Sequence, residues 1–141
     1  MDDDERSQIV GTKKSSELFS LANKVVVVTG GAGLLGQVFC QALVDAGAHV
    51  AIVDLDLASA ETAAKKINKS DAQKVVAFES DITSPESVTQ MVANVVKQLD
   101  RIDVLVNNAA SKGSSLDAFF ESFEDYSLKT WREVMSVNID G

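Results

Sequence analysis

The feature that most constrains the fold is Val25-Val26-Val27-Val28 running into Thr29-Gly30-Gly31-Ala32-Gly33-Leu34-Leu35-Gly36. A continuous β-branched run of this kind is a strand covered on both faces, the situation of a parallel sheet interior. Beyond the glycines, Leu35, Val38, Phe39, Ala42, Leu43 and Ala46 recur at helical spacing and are predicted to form the buried face of a helix. Gly47 supplies its stop. The chain therefore opens with a strand, a tight glycine turn and a helix.

The cycle then repeats. Val50-Ala51-Ile52-Val53 is a second apolar run, and Ala60, Ala63, Ala64 and Ile67 mark a second helix. Val75-Val76-Ala77-Phe78 is a third strand. Ser84-Pro85-Glu86 places an N-cap before a proline at the first helical position. Val88, Met91, Val92, Val95, Val96 and Leu99 continue that helix. Residues 102–106 are predicted as a fourth strand, with a last helix from about Lys129 to the end. Strands alternating with helices imply right-handed βαβ crossovers and a parallel sheet in the order 3-2-1-4. The class is α/β, a doubly wound parallel sheet or Rossmann fold with about four strands present. Residues 1–23 read as a polar lead-in, of which Leu18-Phe19-Ser20-Leu21 is the part able to pack. Residues 24–141 read as one domain.

Gly31-x-Gly33-x-x-Gly36 matches the spacing of a dinucleotide-binding loop. The motif alone also fits a merely tight turn; here it follows a buried strand and opens a helix. Glycines let the backbone approach a pyrophosphate, and the helix N-terminus offers free N–H groups and a positive dipole end. No Gly-Lys-Ser/Thr follows, which excludes a Walker loop. Asp54 ends the second strand, 18 residues beyond Gly36. A carboxylate there accepts hydrogen bonds from the adenosine ribose hydroxyls and repels a 2′-phosphate, so NAD is expected over NADP. Asp56 is read as the cap of the following helix.

Composition narrows the partners. Thirteen Lys and Arg stand against 21 Asp and Glu, a net charge of −8, and no basic patch is present to bind nucleic acid. Residues 2–6 hold −3 of that charge as a solvated head, leaving −5 for the remainder. No stretch approaches the roughly 18 apolar residues of a membrane span. An acidic start is the opposite of a secretory signal, and a single cysteine, Cys40, forms no internal disulfide. The reading is cytoplasmic. Cys40 is placed beside the apolar face of the first helix as packing, and His49, with no nearby Cys or His, is read as a surface residue with no metal site.

The sequence resembles the short-chain dehydrogenase/reductase family from about Lys24 to Gly141. Five stretches carry the resemblance: residues 29–36, Asp54, Asp81-Ile82, Asn107-Asn108-Ala109-Ala110, and Asn138 within Trp131-Arg-Glu-Val-Met-Ser-Val-Asn-Ile-Asp-Gly. The resemblance implies a cofactor site formed by Gly30, Gly31, Ala32, Gly33, Leu34, Leu35, Gly36, Asp54, Asp81, Ile82, Asn108 and Ala109. Asp81 would meet the adenine amino group and Ile82 its ring. Asn108 and Ala109 would meet the ribose near the nicotinamide, while Asn107 would tie the central strands together. Asn138 would take a catalytic part, opening its helix locally and holding a water in a proton relay.

Two departures stand out. The main branch of the family has glycine where this chain has Leu34, and Gly33 instead gives the spacing of the extended, sugar-epimerase-like branch. Ala110 replaces the usual glycine of the asparagine block. The segment holding Phe119, Phe120, Phe123, Tyr126 and Trp131 borders the substrate side and a subunit contact in the family, or packs locally. The function implied is that of the cofactor-binding portion of an NAD-dependent oxidoreductase, ending before the catalytic Ser, Tyr and Lys. Its substrate would be a small sugar, sugar acid or acyl ketone or alcohol, and the full-length form would be a homo-oligomer. A non-catalytic dinucleotide-binding module and an extended-branch epimerase are the alternatives.

Overall fold

A computed structural model describes residues 19–67 and 73–141 of the chain. The acidic head and most of the polar lead-in, Leu18 included, lie outside the described residues. The elements are β1 Val25–Thr29, α1 Leu34–Asp45, β2 His49–Asp54, α2 Leu57–Ile67, β3 Val75–Glu79, α3 Pro85–Leu99, β4 Val104–Val106, α4 Leu116–Phe119 and α5 Leu128–Asn138. The four strands form one parallel sheet in the order β3-β2-β1-β4. The order reverses between β1 and β4, which makes their carboxyl ends the switch point where doubly wound sheets bind ligands.

Every residue of β1 is buried, as its unbroken valine run requires. Val26, Val28, Val50 and Ile52 pack under α1 and α2 with Cys40, Ala60, Ala63, Ala64 and Ile67. Val25, Val27, Ala51, Val53 and Phe78 face the other way, onto Met91, Val95 and Leu99 of α3. The period-2 alternation of the strands thus fills two cores, one on each side of the sheet. Leu21 of the lead-in packs on the first of these, and its N–H donates to the Ala46 carbonyl at 2.9 Å.

The buried face of α1 differs from the expectation. Gly36 and Cys40 are its buried residues, joined by half-buried Leu43 and Val44, whereas Leu35 and Val38 are 63% and 60% exposed and Phe39 and Ala42 are also exposed. The helix lies so close to the glycine loop that its contact line must consist of small side chains, which turns the bulky ones outward. Cys40 is consequently central to the core, and burial pushes its thiol up to about 11.

The remaining boundaries follow local chemistry. Gly47 adopts φ +97° just past α1, as a left-handed stop demands. Ser84 caps α3, its hydroxyl accepting from the Ser87 N–H at 3.2 Å, with Pro85 next. On α3, Met91, Val95 and Leu99 are buried, while Val92 and Val96 are exposed. The short helix α4, capped by the Ser115 hydroxyl, is too brief to show a sequence period. α5 begins at Leu128 and stops at Asn138, short of the end of the chain.

The fourth strand is shorter than its apolar run. Asp103 replaces one ladder position by its carboxylate, which accepts from the Val25 N–H at 2.9 Å and pairs with Lys24 at 3.3 Å and Arg101 at 2.5 Å. The Val25 hydrogen bond, aided by these cations, holds the carboxyl below its ordinary value. A lowered native value means stability that is present above the ordinary pKa and lost as pH falls through the native one. Asp103→Asn should lower the melting temperature at pH 7 by on the order of 3 °C. The gap between the two proteins should close as pH drops below 3.8, a trend that thermal melts across pH 2–7 would check.

Candidate functional site

A cleft of about 860 Å³ opens at the carboxyl ends of the strands. Gly30, Gly33, Leu34, Leu35 and Gly36 form one wall, Asp54, Asp81 and Ile82 the end beside β2 and β3, and Asn108 and Ala109 the end beside β4. Gly31, Ala32 and Asn138 of the expected set do not line it.

The wall is shaped by backbone contact. Gly30 sits at φ +61°, and a Cβ on it would lie 2.8 Å from the Ala109 Cα. A Cβ on Gly36 would lie 2.3 Å from the Gly30 carbonyl oxygen. At Gly33 the same atom meets just the Gly30 carbonyl, at 3.2 Å, and otherwise open space. No side chain caps α1, so its first-turn N–H groups remain for a ligand in the cleft. Leu34 is 87% exposed as the first residue of α1, so a side chain at this position is accommodated by the loop. Gly31 lies beneath, its N–H donating to the Val53 carbonyl at 3.1 Å.

Two acids face the cleft from successive strand ends. Asp54 accepts from the Ala32 N–H at 3.0 Å, and its other oxygen from the Asp56 N–H at 3.4 Å. A carboxylate offers about four acceptor sites, so capacity remains for hydroxyl donors. Asp56 caps α2 as expected, accepting from the Ser59 hydroxyl at 2.7 Å, the main cause of its lowered pKa, and from the Ala58 N–H at 3.0 Å. One Asp81 oxygen accepts from the Thr83 hydroxyl at 2.7 Å and N–H at 2.9 Å, again lowering the pKa and keeping the group an acceptor. Ser87 on α3 holds the Asp81 N–H at 3.0 Å, which fixes where that acid stands.

The amide joining β1 to β4 belongs to Asn108 rather than Asn107. Asn108 Nδ2 donates to the Thr29 carbonyl at 2.9 Å and the Gly30 carbonyl at 3.0 Å. Thr29, buried, completes the tie: its hydroxyl accepts from the N–H groups of Asn108 and Ala109 at 3.1 and 3.2 Å. Asn107 is exposed. Both asparagines lie beyond the end of β4, and residues 29 and 108 are too far apart in sequence for any local pattern to show the pairing.

Asn138 is the last residue of α5, and the helix is not opened at it. Its Oδ1 accepts from the Ser111 N–H at 2.8 Å and its Nδ2 donates to the Ser111 carbonyl at 3.1 Å. Glu133, five residues earlier, accepts from the Ser114 hydroxyl at 2.7 Å and N–H at 3.1 Å. These two side chains pin the loop after β4 onto α5, and Ser111 and Lys112 of that loop form part of the cleft rim. Val137, beside Asn138, does line the cleft. Among the described residues no group of three or more His, Cys, Asp and Glu gathers to hold a metal, and no helix is long and apolar enough to cross a membrane. His49 instead accepts the Lys74 N–H at Nδ1, at 2.9 Å.

A parallel sheet ordered 3-2-1-4, with a glycine loop and uncapped helix at its switch point, defines a dinucleotide-binding protein of the Rossmann type. A family profile described as short chain dehydrogenase matches residues 24–141, and the chain belongs to that family of oxidoreductases acting on CH–OH groups. It is 34% identical over 127 residues to the short chain dehydrogenase/reductase dpmpG of Macrophomina phaseolina, covering 90% of this chain and 70% of that protein. It is 32% identical over 123 residues to an NAD-dependent glycerol dehydrogenase of Listeria innocua, covering 87% of this chain and 44% of that one. The crystal structure of an NAD+-bound xylitol dehydrogenase superimposes with a TM-score of 0.76 at 28% identity, over 85% of this chain and 44% of that chain. Apart from dpmpG, the chain spans less than half the length of the relatives named here.

Proposed function

We propose that residues 24–141 are the cofactor-holding part of an NAD-dependent oxidoreductase moving hydride between nicotinamide and a secondary alcohol or ketone. The observation that carries this reading is Asp54, held at the end of β2 with one oxygen on the glycine loop and acceptor capacity facing the cleft. NAD supplies the hydride chemistry when bound. The uncapped start of α1 would take the pyrophosphate, beside the open space at Gly33. Asp54 would accept from the adenosine ribose hydroxyls, Asp81 from the adenine amino group, and Ile82 would cover the ring. Asn108 and Ala109 would border the ribose near the nicotinamide. Asn138 would act through the loop it holds, with one amide hydrogen left for a water.

Small sugars, sugar acids or acyl ketones and alcohols are the substrate class, in keeping with relatives named for glycerol and xylitol. The full-length protein is proposed to be a cytoplasmic homo-oligomer. The preference for NAD follows from charge: a 2′-phosphate placed against the Asp54 carboxylate is repelled, whereas a hydroxyl is bound. Asp54→Ala should narrow the NAD:NADP affinity ratio by roughly 1–3 kcal/mol, the worth of one or two hydrogen bonds and a relieved repulsion. Equilibrium titrations of both dinucleotides at low micromolar chain concentration measure it. Tighter binding of NADP than NAD by the unsubstituted chain overturns the reading.

A further inference from the structure

Gln37 belongs neither to the glycine motif nor to the cleft wall, yet it holds the loop residue that holds Asp54. Its Nε2 donates to the Ala32 carbonyl at 2.7 Å. The Ala32 N–H in turn donates to Asp54 Oδ2 at 3.0 Å. On the far side, Lys66 Nζ of α2 donates to Gln37 Oε1 at 3.4 Å. Lysine only donates, so it sets the amide with its oxygen toward α2 and its NH2 toward Ala32. The Gln37 N–H is engaged separately, as the first helical bond to the Gly33 carbonyl at 3.0 Å.

Ala32 is thus gripped at both backbone groups, its carbonyl by Gln37 and its N–H by Asp54. It lies in a turn, outside the strand ladder. Without Gln37 the Ala32 carbonyl loses its anchor, and the N–H that sets the direction of the Asp54 side chain is held less firmly. We propose that Gln37, steadied by Lys66, is a positioning residue for Asp54 and so a determinant of the choice between NAD and NADP. The proposal rests on the reading of Asp54 as the ribose acceptor. Loss of Gln37 has a second effect of the same sign. It frees the Lys66 ammonium, which borders the groove beside Ala32 and Ser59, to meet a 2′-phosphate.

The test titrates NAD and NADP into the chain, Asp54→Ala and Gln37→Met, with amide hydrogen exchange followed at Ala32 and Gly31. Gln37→Met keeps the length and helix propensity of the side chain while removing both of its hydrogen bonds. The NAD:NADP affinity ratio should fall about three- to tenfold in Gln37→Met. Exchange at Ala32 should quicken, with Gly31, bonded to Val53, unchanged. Gln37→Ala serves as the second substitution where the methionine variant folds poorly. An unchanged ratio, an equal loss of both cofactors or unchanged exchange at Ala32 overturns the proposal. A ratio that narrows in Asp54→Ala but not in Gln37→Met overturns it while leaving the ribose reading intact. An unsubstituted chain that prefers NADP, or binds neither, overturns both.

Discussion

Gly36→Ala should abolish dinucleotide binding and cost about 1–3 kcal/mol of stability, as overpacking of a tight contact does. The added methyl would fall 2.3 Å from the Gly30 carbonyl oxygen and 2.7 Å from the Gly31 Cα. Both are backbone atoms, and the first is anchored. The Gly30 carbonyl accepts from the Gly33 N–H at 3.1 Å and from Asn108 Nδ2 at 3.0 Å. The helix must therefore retreat, carrying its free N–H groups away from the place they serve. Gly33→Ala is the contrasting variant. Its φ of −68° suits any residue, and its methyl would meet one carbonyl at 3.2 Å. It should fold normally and lose binding only where the methyl occupies the space the pyrophosphate needs. Thermal melts with NAD titrations separate the two, and Gly36→Ala melting and binding like its parent would sink the account of the loop.

The 141-residue chain is expected to show no NAD-dependent turnover with any alcohol or ketone, and to self-associate. The family resemblance implies a tyrosine acid/base, a lysine four residues beyond it and an orienting serine. The one tyrosine, Tyr126, has Thr130 at that position. Thr130 is buried, its hydroxyl on that of Ser127 at 2.8 Å. Tyr126 also precedes α5, whereas the cleft lies at the far end of that helix. Eleven residues at 1.5 Å each set them about 16 Å apart. The second half of the prediction concerns surface. Among the described residues β4 pairs with β1 alone, and Leu105 on it is 56% exposed. Leu35, Val38 and Phe39 of α1 and Val92 and Val96 of α3 add apolar area on either face of the sheet. Open edges and apolar patches of this kind draw a second chain. Absorbance at 340 nm with a mass-verified chain tests the first half, and sedimentation across concentration the second. Measured turnover would mean that Tyr126 or a partner supplies the acid.

Much of this architecture was legible because it is written locally. An unbroken valine run, glycines followed by a helix, and Ser-Pro-Glu before an apolar period each name one element and its end. Asp54 was legible for a similar reason, being the polar residue that closes an apolar strand beyond a glycine loop. The inward face of α1 was not. Hydrophobic periodicity weighs large side chains, while this helix approaches the sheet through Gly36 and Cys40, whose smallness permits the contact. The tie between Thr29 and Asn108 was hidden for another reason. It joins residues remote in sequence, and its choice between two neighbouring asparagines depends on how the chain turns after β4. Gln37 carries no signature at all, since a glutamine on the first turn of a helix is ordinarily a solvated residue.

The buried Cys40 gives the molecule an internal clock. It is the chain's one sulfhydryl, fully enclosed beneath α1, and its thiol is raised to about 11. Thiolate is the reactive form, so an alkylating reagent at neutral pH finds almost none while the helix is seated. With a reagent slower than reclosing, labelling of this atom then tracks the fraction of molecules in which α1 has lifted from the sheet. Because α1 also carries the glycine cradle at its start, a dinucleotide that settles there should slow the clock, and the extent of slowing reads occupancy without any catalytic step.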